Sequence, residues 1–237
     1  MIDRERLVLG TAKFGMPWYG YGSTSRPSAD ESIAIILAAR HAGIHSFDTA
    51  FGYGDAVELL EYAGIPRCEM IIKARQPIPA PDMVHNPTLE DLATIQSWRG
   101  VSVYTVEEVA EAHQLGIAPI QAPASCLNRS VDVEYGRAPF LQGTLLRHAD
   151  RAPVALRSAI FAFQQLAMRA NVSRVALALA SAYGDRIVFG VSRLDQLDEV
   201  IGACEASVPM EAIREARALS VGFDATAALP SLWKGAL

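Results

Sequence analysis

Short β-forming runs alternate with helix-length amphipathic stretches along this chain: RLVLGTAK, then ADESIAIILAARHAG, IHSFDTA, DAVELLEYAG and MIIKAR. Such alternation predicts parallel strands joined by helical crossovers. Downstream, DMVHNP precedes the helical TLEDLATIQSW, GVSVYT precedes VEEVAEAHQLG, and APIQAPAS, VEYGRAPF and RIVFGVS supply three further strands. Eight strands are a barrel count, so the expected fold is α/β, a (β/α)8 TIM-type barrel. The helix punctuation keeps the same register: Asp30 or Ser28 caps the first long helix, and Gly43, Gly64 and Gly116 each end one. No repeat or linker divides residues 1–237, which are read as a single domain ending in one more helix and a tail.

The connection RQPIPAPD, between the third and fourth strands, carries three prolines and leaves no room for a crossover helix. Parallel neighbours ordinarily need about a dozen linking residues. The expectation is therefore a compact barrel that lacks this helix, with the segment either crossing as extended chain or leaving the barrel locally open. NRSVD, after the sixth strand, is likewise long enough for little more than a turn.

Composition narrows the function. Half of the 237 residues are apolar, the net charge is -5, and Lys and Arg are scattered, so no footprint for a nucleic-acid backbone is present. Cys68, Cys126 and Cys204 are odd in number and lack CxxC spacing, which argues against a disulfide framework or a thiolate metal site. MIDRERLVLG opens without an extended apolar run and no later segment reaches bilayer length, which predicts a cytoplasmic protein with a small-molecule partner and no membrane contact.

Asp48 ends IHSFDTA, Lys73 lies near the end of MIIKAR, His85 ends DMVHNP, and Tyr53 follows Asp48 by five residues. Barrel active sites are built at the C-terminal strand ends, so these four are expected to converge at one rim. Their types suit proton delivery to a carbonyl oxygen. An ammonium beside a phenol favours the phenolate, a carboxylate keeps a buried ammonium charged, and an imidazole orients the substrate oxygen. For His85 alone, a histidine beside a proline turn is the alternative. At the far end of the chain, RIVFG delivers Ser192 and Arg193 to the start of a helix, where free N–H groups and the dipole form an anion site. A plain N-cap beside a solvated arginine is the other reading. WYGYG is either a cover over the first strand or part of a substrate wall, with Trp18 the candidate for the wall.

LGTAKFG followed by YGYG, then AGIHSFDTAFGYG, IIKA and VHNP, resemble the successive signatures of the aldo-keto reductase superfamily in their usual order. GVSVYTVEEV, PIQAPASCLNRS, FLQGTLL and FGVSRLDQLDEV continue the likeness. The resemblance implies NADPH-dependent reduction of an aldehyde or ketone, with Tyr53 as general acid, Lys73 and Asp48 tuning it, and His85 orienting the carbonyl. It implies cofactor contacts at Gly10, Thr11, Gln121, Arg137, Ser192, Arg193 and Gln196, with Arg193 on a ribose 2′-phosphate. Arg137 stands where the family often has an aromatic residue against the nicotinamide, and Val200 where an asparagine is often found. Two other uses of such a barrel are a non-redox lyase or isomerase that employs the same tetrad, and a non-catalytic cofactor-sensing or regulatory subunit.

Overall fold

The computed structural model describes residues 1–21, 23–75, 82–88, 91, 100–128, 132–222 and 225–229. Eight strands close into a barrel in sequence order: β1 (Leu7–Gly10), β2 (Phe47–Ala50), β3 (Met70–Ala74), β4 (Met83–His85), β5 (Val101–Ser102), β6 (Ile120–Pro123), β7 (Tyr135–Arg137) and β8 (Arg186–Phe189). Each pairs in parallel with the next, and β8 returns to β1 through Leu7↔Ile187, Val8↔Val188 and Leu9↔Phe189. The eight segments chosen from sequence all form strands. Among the described residues, no helix is long and apolar enough to cross a membrane.

The described helices are α1 (Ala12–Gly15), α2 (Ala29–His41), α3 (Ala56–Tyr62), α4 (Val106–Gln114), α5 (Arg157–Arg169), α6 (Arg174–Ser181), α7 (Leu194–Glu205) and α8 (Met210–Ala218). Ser28, rather than Asp30, caps α2: its hydroxyl accepts from Glu31 N while the Glu31 carboxylate accepts from Ser28 N. Thr105 and Glu108 form the same reciprocal box on α4. Such a cap is worth about 1 kcal/mol. The helix expected over TLEDLATIQSW lies almost wholly outside the described residues. α5 and α6 were not assigned from sequence, for physical reasons: α5 follows a run of 3-10 turns with no side-chain cap, and α6 is short and reads as an apolar run over the buried Val175–Leu179.

The barrel closes at β3–β4 despite the short link. Lys73 pairs with Met83 and Ala74 with Val84, so β4 begins level with the end of β3 and the chain has little height to recover. Asp82 reinforces the junction, its N–H donating to Ile72 O (2.8 Å) and its carboxylate accepting from Ile72 N (2.8 Å). The path of residues 76–81 lies outside the described residues, and with it the expected absence of a helix there.

Phe14, Phe47, Phe163 and Phe189 are fully buried in the main apolar cluster with Leu9, Ile35, Ile36 and Leu60, between strands and helices. The turn of α1 is pressed against the loop after β2. A Cβ added at Gly15 would stand 1.5 Å from the Tyr53 carbonyl oxygen, and Gly54, at φ +60°, faces the Gly15 carbonyl from the other side. Glycine at both positions lets the loop carrying Tyr53 lie directly on the first barrel turn. Overpacking such a contact costs about 1–3 kcal/mol. Gly15→Ala is therefore expected to lower the unfolding free energy by that amount in urea denaturation, and an unchanged midpoint would contradict the contact.

Candidate active site

Asp48 and Lys73 meet inside the barrel, where both are almost completely buried. Lys73 Nζ donates to Asp48 Oδ1 (2.5 Å) and Oδ2 (2.7 Å), and also to Gln121 Oε1 (3.0 Å). Gln121 Nε2 donates to Asp48 Oδ2 (2.7 Å), and Ser102 Oγ donates to Gln121 Oε1 (2.8 Å). Four strands, β2, β3, β5 and β6, thus share one closed set of hydrogen bonds. His85, Ser102, Gln121 and Tyr135 lie at one level across β4 to β7.

Tyr53 and His85 lie beside this network. Their rings meet edge to face at 5.5 Å, and Lys73 Nζ lies 5.3 Å from the Tyr53 ring centroid. The four residues placed together from sequence are together. Their electrostatics differ from expectation in one respect. Burial, followed by the negative charge of Asp48, raises the Tyr53 phenol well above its ordinary value, against a downward pull from Arg137. Lys73 does not set Tyr53 towards phenolate, because its hydrogen bonds are directed to Asp48 and Gln121. The phenol is held protonated. His85 is pushed down to about 3, first by burial and then by Lys73, Arg137 and Arg75, and is a neutral imidazole.

From Asp48, Lys73 and Tyr53 a cavity of about 350 Å³ runs past Gly10 and Arg137 to Ser192, Arg193, Gln196 and Val200. At that end Ser192 N and Oγ both donate to Gln196 Oε1 (2.8 and 3.2 Å), folding the first turn of α7 back on its entry. Arg193, the N-cap residue of α7, presents its fork to Asp195 through Nε (2.8 Å) and Nη2 (2.8 Å). This pair is exposed, so exchanging the carboxylate for another oxyanion costs little.

Two residues expected at the cofactor are engaged elsewhere. Thr11 is fully buried off the cavity wall and its hydroxyl donates to Asp48 O (3.0 Å), while Gln121 is spent on the ion pair. Trp18 is 70% exposed and does not line the cavity. Its neighbour Tyr19 does, with a phenol pushed up to about 12 by burial and then by Tyr53. Lys13 and Arg147 also line the wall without having been singled out in the sequence. Lys13 Nζ donates to Pro17 O (3.0 Å), Ser25 O (2.5 Å) and Ser23 Oγ, and Arg147 Nη1 donates to Tyr21 O (2.8 Å). The loop after β1 is thereby fastened along the cavity edge. In WYGYG the two adjacent aromatics were indistinguishable by type; only the loop path decides which one turns inward.

No protein-family model matches the chain, and no curated protein matches it by sequence. Solved structures do match. A glycerol dehydrogenase from Gluconobacter oxydans is 18% identical at a TM-score of 0.63, over 93% of this chain and 92% of its own. An aldo-keto reductase from Bacillus halodurans, in its holo form, is 16% identical at 0.65, again over 93% and 92%. The chain has the (β/α)8 barrel fold of these two proteins.

His85 also makes stability depend on pH. Unfolded, its imidazole takes up a proton near the ordinary 6.5, whereas folded it does so only near 3. Between those values the unfolded state binds more protons, so stability is full above about pH 6.5 and declines on acidification by at most about 1.4 kcal/mol per pH unit from this group. Unfolding free energies of the wild type and His85→Asn at pH 7, 6 and 5 are expected to show a flatter acid limb in the variant. Parallel limbs would mean that His85 is protonated in the fold.

Proposed function

We propose that this chain is an aldo-keto reductase-type oxidoreductase that reduces an aldehyde or ketone with NADPH. The observation that carries the reading is the convergence of Asp48, Tyr53 and Lys73 on one end of a cavity, with His85 against the Tyr53 ring, while the other end is an oxyanion-ready helix start.

The residues present suit a phosphorylated dinucleotide. Arg193 already holds a carboxylate in the two-pronged geometry that a phosphate takes, and the N–H groups and dipole at the head of the 12-residue α7 favour negative charge. Ser192 and Arg193 would hold the 2′-phosphate, with Gln196 and Val200 beside the adenosine. Gly10 lies on the cavity wall, where a Cβ would press on Phe189 O and the Val188 side chain of β8, 3.2 Å away. A nicotinamide bound at the tetrad end would supply hydride to the carbonyl carbon.

The chain's own residues handle the oxygen. His85 is neutral, so one ring nitrogen is available to hydrogen-bond the carbonyl oxygen without placing a charge on the substrate. Tyr53 meets that oxygen as the intact phenol, because burial and Asp48 keep its proton in place until a stronger base appears. Hydride addition produces that base, an alkoxide, and Tyr53 Oη–H transfers its proton to it. Arg137, whose charge opposes the upward shift of the phenol, stabilises the phenolate formed, which recovers a proton from solvent. The alcohol product then leaves.

Tyr53→Phe is expected to lower kcat for carbonyl reduction by about 10²–10⁴-fold while leaving NADPH affinity within a few-fold of wild type. Turnover unaffected by the substitution would defeat the assignment.

A further inference from the structure

Arg137 ends β7 and lines the cavity beside Tyr53. Its guanidinium carbon lies 4.2 Å from the Tyr104 ring centroid, and Nη2 donates to Val103 O (2.8 Å). These contacts fix the side chain, yet neither neutralises it. Among the described residues, no carboxylate forms an ion pair with Arg137, nor with Lys13 or Arg147 elsewhere on the wall, whereas the cavity's Lys73 has Asp48 and Arg193 has Asp195; of the three unpaired cations Arg137 is the one whose charge reaches Tyr53 and His85. The uncompensated charge is felt across the reacting end, where it depresses His85 and opposes the upward shifts of Tyr53 and Tyr19. A half-buried cation held by a ring and a carbonyl but without a counter-ion keeps its full charge directed at the cavity.

The next step rests on the reading that NADPH binds here. To deliver hydride to a carbon whose oxygen is in reach of Tyr53, the nicotinamide has to lie at the cavity end that Arg137 lines. The two redox states of that ring differ in charge: the dihydronicotinamide is neutral and the oxidised ring is a cation. We propose that Arg137 selects the cofactor's redox state, its guanidinium disfavouring the cationic oxidised ring, so that the site takes up NADPH and sheds NADP+ after each reduction. The overall reaction equilibrium is untouched; what changes is the fraction of enzyme occupied by each form. Between unit charges in a partly screened site, this repulsion corresponds to a preference on the order of tenfold.

The test is equilibrium titration of the whole chain with NADPH, with NADP+, and with 2′,5′-ADP, which has no nicotinamide, by calorimetry and tryptophan fluorescence. Wild type is expected to bind NADPH on the order of tenfold more tightly than NADP+. Arg137→Gln is expected to bring the two affinities together, chiefly by tightening NADP+, with 2′,5′-ADP unaffected. Arg137→Lys, which keeps the charge, should keep the preference, and Arg193→Ala should weaken all three ligands while preserving the ratio. A wild-type ratio near one overturns the inference without any variant, and so does a ratio that Arg137→Gln leaves unchanged. If none of the three ligands binds wild type, the NADPH reading itself falls, an outcome distinct from tight binding of both dinucleotides without discrimination.

Discussion

A lysine and an aspartate buried side by side inside a β-barrel are the condition on which the rest of this site depends. Taking two charges out of water costs several kcal/mol per ion unless geometry and further hydrogen bonds compensate. Lys73 and Asp48 meet that requirement through two short contacts to each other and through Gln121, which donates to one partner and accepts from the other. Ser102 completes the set from β5. The network fixes the barrel's interior polar layer, so that Tyr53 and His85 rest against a rigid base.

That base also sets the chemistry above it. Asp48 reaches Tyr53 as negative charge, and together with burial it keeps the phenol protonated. Lys73 and Arg137 reach His85 as positive charge, and together with burial they keep the imidazole neutral. An intact acid and an uncharged hydrogen-bonding ring side by side are what carbonyl protonation asks of a site. The cavity beyond them carries Lys13, Arg137, Arg147 and Arg193 along its wall, against Glu199 and the already committed Asp48. This excess of positive charge stands within a chain of net charge -5, and its gathering along one cavity suits an anionic ligand with several phosphates.

Much of this was legible in the sequence because the strands carry β-forming apolar runs and the chemistry sits at their ends. MIIKAR and DMVHNP place Lys73 and His85 at or next to the last strand position, whereas Asp48, expected to end its strand, is the second residue of β2 and reaches Lys73 from inside the barrel. What was not legible depended on direction or on partners. Tyr19 turns into the cavity and Trp18 away from it, although neighbouring aromatics in a glycine-rich loop carry no label for which faces inward. Gln121 sits where the resemblance put a cofactor contact, but its amide serves the ion pair, a choice made by three other strands. The direction of the Tyr53 shift was misread for the same reason: sequence names the ammonium but not which neighbour captures it. α5 escaped because its start carries no capping side chain, and α6 because it is short and reads as an apolar run over Val175–Leu179.

Hydride transfer at this rim can be followed by isotope tracing. The purified chain would be supplied with NADPH deuterated at nicotinamide C4, on each face in turn, and a panel of aldehydes and ketones in ordinary water, with products read by mass spectrometry and NMR. One deuterated face is expected to transfer its label to the carbinol carbon while the new hydroxyl proton comes from solvent. Label retained on the cofactor, together with solvent deuterium entering carbon positions of a substrate when the experiment is repeated in heavy water, would contradict it and indicate proton-transfer chemistry without a redox step.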